Sequence, residues 1–364
     1  MSNTTLFDAI KSSNVEEVRQ ILSNHDIDIN ATLSNGKEAK TALYLAVEKG
    51  NIDIIQILLS NSVIDVNKKT ILELPIEETN NYYYGENANE PNTYGEHGGY
   101  HAPMYPNEQE KFCAEHNNTM ETTPLYLAVS KKNKTIVQML LSQPNIDVNP
   151  ITIRKYGALK PNERQTMTNT YWNTQKKAPI HLAIEKKNIE IVQLLLSHPQ
   201  IDVNLPFLYE GGHNFLEKYS IKKSPLCVAI DADCSDIFQL LINHNDVNAS
   251  YEIVEEEHNE ARRTYDSKFY PLHLAAKKGN PLIIKSLLKQ PNVDVNALFI
   301  SNKVKSITTT ALNIAIENNN VDAVRILLLN PKTKVDINQV SSEFIHYEIN
   351  KKEEMTPLYI AVNT

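Results

Sequence analysis

The chain has 364 residues, room for two or three ordinary domains, and a formal net charge of −8 with only three cysteines. The acidic balance argues against nucleic-acid binding as the main role. Cys113, Cys227 and Cys234 form no disulfide framework, which points to a reducing compartment. The opening MSNTTLFDAIKSSNVEE lacks an apolar run behind positive charge and so does not read as a signal peptide, and no apolar run approaches membrane-spanning length.

In chain order, one unit recurs: a short helix, a tight turn, a second helix and an extended exit. A degenerate copy fills 4–30. Full copies fill 41–67, 123–149, 178–204, 224–248, 270–296 and 310–338, and a truncated copy, TPLYIAVNT, fills 356–364. The copy at 178–204, APIHLAIEKKNIEIVQLLLSHPQIDVN, is the clearest. Pro179 suits a first helical turn, where a missing N–H costs nothing. Ile180, Leu182, Ala183 and Ile184 form one apolar face, Asn188 breaks the run, and Ile189 to Leu196 resume it at helical spacing. Pro199 ends the second helix, and Ile201-Asp202-Val203-Asn204 leaves as a turn. The turn between the helices carries Gly50 or Gly279 in two copies, but Lys132, Lys187, Asp233 or Asn319 in others. A left-handed conformation there costs a non-glycine residue roughly 1 kcal/mol.

The first copy places Asp8, Glu17 and Gln20 where later copies are apolar. A terminal repeat needs a polar outer face, so 4–30 is expected to cap the array, with Met1 as its start. The last copy ends after one helix, so the array is expected to continue past Thr364.

The run Thr41-Ala-Leu-Tyr-Leu-Ala46, with Ala178-Pro-Ile-His-Leu-Ala183 and Tyr270-Pro-Leu-His-Leu-Ala275, resembles the T-P-L-H-x-A core of the ankyrin repeat family. The resemblance covers about half of the chain. It implies a mainly α fold over 1–364, a single right-handed solenoid of stacked helix–turn–helix pairs with extended β-hairpin fingers. The family's histidine appears only as His181 and His273, with Tyr44, Tyr126, Cys227, Asn313 and Tyr359 elsewhere. The exit asparagines, Asn30 to Asn338, resemble the sites that asparagine hydroxylases modify in some ankyrin proteins. In the chain itself Asp and Asn at such places bond their own backbone in turns.

The joining segments are longer than the family norm, an insertion that is thermodynamically cheap. Ser250–Val254, Phe344–Ile349 and Pro150–Tyr156 alternate like strands, and Asn35-Gly36 and Gly211-Gly212 suit hairpin turns. Segment 68–122 is a long acidic, Tyr-rich insertion with ten Glu against three Lys, whereas 150–177 is basic. Disorder or an irregular loop also fits the Gly-, Pro- and Asn-rich part of 68–122.

The joining segments carry most of the aromatic residues. These are either interface anchors or rings that pack fingers together. Candidate anchors are Tyr82, Tyr83, Tyr84, Tyr94, Tyr100, Tyr105, Tyr156, Tyr171, Trp172, Tyr209 and Tyr251. The resemblance adds the exposed ends of the first helices as a polar rim: Glu48, Lys49, Lys131, Glu185, Lys186, Asp231, Lys277, Lys278 and Glu317. His97, His101, Cys113 and His116 are ligand-type residues, but their order matches no common zinc motif. Neither a metal nor another cofactor is expected, and no catalytic motif is present.

The expected function is non-catalytic protein binding by a monomeric cytoplasmic or nuclear scaffold, through fingers and helix ends, without nucleic acid or membrane. The alternative is a regulatory or substrate-recruiting arm of a larger enzyme or effector.

Overall fold

The computed structural model describes residues 3–24, 26–36, 38–74, 118–159, 170–213, 218–258, 264–302, 305–330, 334–345 and 352–363. Two compact units emerge: 1–127 with 151–176 and 209–218, and 128–150 with 177–208 and 219–364.

The first unit opens with α1 (Asn3–Lys11) and α2 (Val15–Leu22), followed by α3 (Ala42–Lys49) and α4 (Ile52–Leu59). Helix α1 packs on α3 and α2 on α4. The shared core includes Leu6, Phe7, Ile10, Val18, Ile21, Leu43, Ile54 and Leu58, each about fully buried. Asp8 and Gln20 are exposed. Strands β1 (Thr32–Ser34) and β2 (Ala39–Thr41) form a hairpin whose turn is closed by the Asn35 N–H donating to the Glu38 carbonyl at 3.1 Å. Strands β3 (Thr70–Glu73) and β4 (Thr119–Thr122) form the next, and β4 pairs onward with β5 (Thr152–Leu159). Strands β6 (Thr170–Lys177) and β7 (Phe207–His213) follow.

The second unit repeats the scheme. After α5 (Pro124–Ser130) come α6 (Lys134–Leu141), α7 (Pro179–Glu185), α8 (Ile189–Leu196), α9 (Pro225–Asp231), α10 (Ser235–Ile242), α11 (Pro271–Lys278), α12 (Pro281–Leu287), α13 (Ala311–Glu317), α14 (Val321–Leu329) and α15 (Pro357–Asn363). First helices pack on first helices, α7–α9–α11–α13–α15, and second on second, α6–α8–α10–α12–α14. Each helix is too short to be stable alone, so this stacking supplies its stability. Hairpins lie between the pairs: β8 (Lys218–Lys223) returns to α9, then come β9 (Ile253–His258) with β10 (Thr264–Phe269), β11 (Leu298–Asn302) with β12 (Lys305–Thr310), and β13 (Ser341–Ile345) with β14 (Lys352–Met355).

Local signals explain the helix boundaries. Asn51, Asn133, Asn188 and Asn280 each cap a second helix by accepting a backbone N–H. The residue two before the second helix is left-handed in every described pair: Ser13, Lys132, Lys187, Asp233 and Asn319 have φ between 47° and 56°, and Gly50 and Gly279 have φ of 74°. Consecutive hairpins are joined by buried hydroxyls as well as by backbone ladders. Thr122 meets Thr152 at 3.0 Å, Ser267 meets Ser301 at 2.8 Å, and Ser341 donates to Thr309 at 2.9 Å.

Three sequence expectations shift. Gly211-Gly212 is not a hairpin turn; both glycines are buried inside β7, with neither φ positive. The alternating run at 250–254 begins as a strand only at Ile253, because Ser250 and Tyr251 donate to Asn248 and stay in the exit turn. The strand near 344–349 starts earlier, at Ser341, where pairing with Met355 sets the register.

Candidate functional site

Two kinds of first-helix start hold the site in place. At Thr41, Ser224 and Thr310 a hydroxyl accepts the N–H three residues on, at 3.1, 3.4 and 3.3 Å. At 178 and 270 no side-chain hydroxyl fills that role. Instead the imidazole of His181 accepts the Ala178 N–H at Nδ1 (3.1 Å) and donates from Nε2 to the Leu205 carbonyl (2.8 Å). His273 does the same with Tyr270 (3.1 Å) and Ala297 (3.0 Å). Burial holds both imidazoles down to about 4, so both are neutral near pH 7. Phe207 lies beside His181 and Phe299 beside His273.

The helix ends carry the charged candidates. Glu48, Glu185 and Asp231 are each engaged by the lysine eight residues earlier, just before the helix cap. Lys40 reaches Glu48 at 3.1 Å, Lys177 reaches Glu185 at 2.7 Å, and Lys223 reaches Asp231 at 2.6 Å. Lys177 also lies 4.8 Å from the Phe207 ring centre. Lys49, Lys131, Lys277, Lys278 and Glu317 are exposed, and Lys186 is half-buried.

The aromatic candidates divide. Tyr82, Tyr83, Tyr84, Tyr94, Tyr100 and Tyr105 lie outside the described residues, as do His97, His101, Cys113 and His116. Tyr156 is only 1% exposed, with the Arg154 guanidinium 5.8 Å from its ring centre, so its ring packs within the protein. Tyr171 lies in β6, while Trp172, Tyr209 and Tyr251 are half-buried. Burial raises the Tyr251 phenol above its usual range. Cys227 and Cys234 are free thiols, and burial pushes Cys227 up to about 12, which makes it inert near neutral pH. Among the described residues no group of His, Cys, Asp and Glu could hold a metal ion.

A joint the sequence reading missed links neighbouring pairs at the exits. Besides donating its N–H to the aspartate two residues back, the exit asparagine spans to the next exit. Asn30 donates from Nδ2 to the Val63 carbonyl and accepts the Asp65 N–H, both at 2.7 Å. Asn149 makes the same two bonds to Gln200 and Asp202, Asn204 to Asp246 and Asn248, and Asn296 to Lys334 and Asp336. The recurring Asp-Val-Asn was its sequence signal.

Comparison with known proteins decides the family. The profile for ankyrin repeats (3 copies) matches residues 1–82, 161–251 and 250–341, and that for a single ankyrin repeat matches 120–153. The chain belongs to the ankyrin repeat family. A similar solved structure is the ankyrin repeat domain of Bcl-3, described as a unique member of the IkappaB protein family. It is 16% identical with a TM-score of 0.50, over 88% of this chain and 97% of that one. At this identity the likeness concerns the ankyrin fold. No curated protein matches in sequence. The stacked helix pairs and antiparallel hairpins are thus an ankyrin architecture. No described helix is long and apolar enough to cross a membrane.

Proposed function

We propose that this ankyrin chain is a non-catalytic recognition scaffold that binds a protein partner through its hairpins and first-helix ends. One observation carries the reading. The same surface position recurs at the end of each first helix, and its charge varies among the copies: acidic at Glu48, Glu185, Asp231 and Glu317, neutral at Ser130 and basic at Lys277. An invariant frame with varied exposed ends is how a repeat array discriminates partners. The half-buried Trp172, Tyr209 and Tyr251 serve as anchors, and the acidic Tyr-rich insertion within 68–122 adds a further element. The scaffold works as a monomer in the cytoplasm or nucleus.

Affinity capture from source-cell lysate tests this, with the intact chain beside a chain in which 76–112 is replaced by a short Asn-Gly turn. The captured protein is then purified and mixed with the chain to rebuild the complex. A one-to-one complex on size exclusion is expected. A partner lost with the shortened chain assigns recognition to the insertion, and equal capture assigns it to helix ends and remaining hairpins. Absence of any stoichiometric partner would overturn the proposal.

A further inference from the structure

Although the chain is acidic overall, the ends of the first helices in the second unit are not. From α5 to α11 the two carboxylates at those ends, Glu185 and Asp231, are already neutralised by Lys177 and Lys223, and Glu317 at the end of α13 lies beyond the row. The next two positions carry Lys131 and Lys132, then Lys186 and Lys187, then Ala232 and Asp233, then Lys278 and Gly279. Lys131, Lys132, Lys187 and Lys278 are exposed, and none of the five lysines makes an ion pair among the described residues. Lys132, Lys187, Asp233 and Gly279 all occupy the left-handed turn position of their repeat, so they are structural equivalents. Asp233, the one acidic interruption, accepts from Asn280 Nδ2 at 2.8 Å.

We infer that this row binds an acidic polypeptide segment with two carboxylate clusters separated by an uncharged gap. The inference rests on the reading of the chain as a protein-binding scaffold and names the chemistry of the partner. Packed helices lie about 8–10 Å apart, and an extended chain advances about 3.3–3.6 Å per residue. Carboxylates about three residues apart therefore match adjacent repeats. Passing from Lys187 over the Asp233 repeat to Lys278 takes two such steps, or about six residues. A nucleic acid fits this row poorly, because its regularly spaced phosphates cannot leave an uncharged gap at Asp233.

The test is fluorescence polarisation with the full-length chain. One labelled peptide has two Glu triplets separated by six Ser and Gly residues, a second has Gln in place of every Glu, and a third has Glu in the gap as well. An oligothymidylate of equal charge is the fourth probe. The first peptide should bind, and far better than its Gln version. K131E/K278E should weaken it at least tenfold, while K285E, on the exposed face of α12, should leave it unchanged. D233K should favour the gap-filled peptide by severalfold, a gain that misfolding cannot produce. Equal binding of the Gln version, no binding of the first peptide, or oligothymidylate bound as tightly with the same lysine dependence would overturn the inference. A stoichiometric partner complex that K131E/K278E leaves intact would sink the inference while the scaffold reading stands.

Discussion

The repeats at 41–67 and 270–296 are built to one plan and differ at its two tightest points. Both turn between helices on a left-handed glycine with φ of 74°. In the first, a Thr41 hydroxyl caps the helix, and the space around Gly50 is empty to 4 Å. In the second, a buried histidine spans from the Tyr270 N–H to the Ala297 carbonyl, and a side chain on Gly279 would meet Asn320 at 2.6 Å. The threonine cap acts within its own helix. The histidine ties that helix to the segment leaving the repeat, and Asn320 reaches back from the next repeat to the Ala276 and Lys277 carbonyls. Repeats of the same outline can thus be locally or mutually stabilised.

The largest expected effect is on acid stability. With folded-state values near 4 against about 6.5 unfolded, His181 and His273 keep the folded protein less protonated than the unfolded chain between those pH values. Their contribution is whole above pH 6.5 and is lost as pH falls towards 4, on the order of 3 kcal/mol for each. Urea midpoints measured across pH 7.5 to 4.5 should fall. The His181→Asn, His273→Asn double variant should flatten that fall, since Asn313 already fills the equivalent buried position. An unchanged slope would remove the histidines from the account.

Next come the two caps compared directly. His273→Ala leaves the Tyr270 N–H and Ala297 carbonyl unpaired beside a cavity and should cost about 3 kcal/mol. Thr41→Ala should cost about 1 kcal/mol. Equal losses in chemical denaturation would erase the distinction. The glycines sharpen it further. Gly279→Ala must displace Asn320 from both carbonyls and should cost about 2–3 kcal/mol, whereas Gly50→Ala carries only the backbone penalty of about 1 kcal/mol. The smallest contrast is at the exits. Asn30→Ala and Asn296→Ala each remove two bonds to the next exit, and both should cost about 1–2 kcal/mol. A clear difference between them would mean that the joint depends on its surroundings.

Much of the frame was legible because it is local. The left-handed positions at Lys132, Lys187, Asp233 and Asn319, the Asn188-type breaks and the polar face of 4–30 follow from residues a few places apart. What sequence reading missed lies between elements. The Lys40–Glu48 spacing of eight turns a strand-to-helix corner, so neither helical nor strand periodicity reveals it. The asparagine joint spans 33 residues at Asn30–Val63 and 51 at Asn149–Gln200, with no fixed period to betray it. Gly211-Gly212 looked like a turn because its composition allows one, yet strand pairing extended through it. The fate of Tyr156 was open on sequence grounds because an aromatic residue in a strand suits either a buried or an exposed face. The charged helix ends read as mixed in sign, but Lys40, Lys177 and Lys223 pair Glu48, Glu185 and Asp231, which no local pattern at the helix ends reveals.

The exit asparagines carry a consequence for how such a chain can change over generations. Asn30, Asn149, Asn204 and Asn296 each grip a main-chain carbonyl and a main-chain N–H of the neighbouring exit, groups that every residue except proline supplies in full. The joint therefore does not read the side chains of the repeat it holds. A gene segment encoding one repeat can be copied, removed or exchanged, and its new neighbour needs no matching substitution there to be joined. The same indifference leaves the exposed helix ends and hairpins free to diversify while the frame is inherited unchanged.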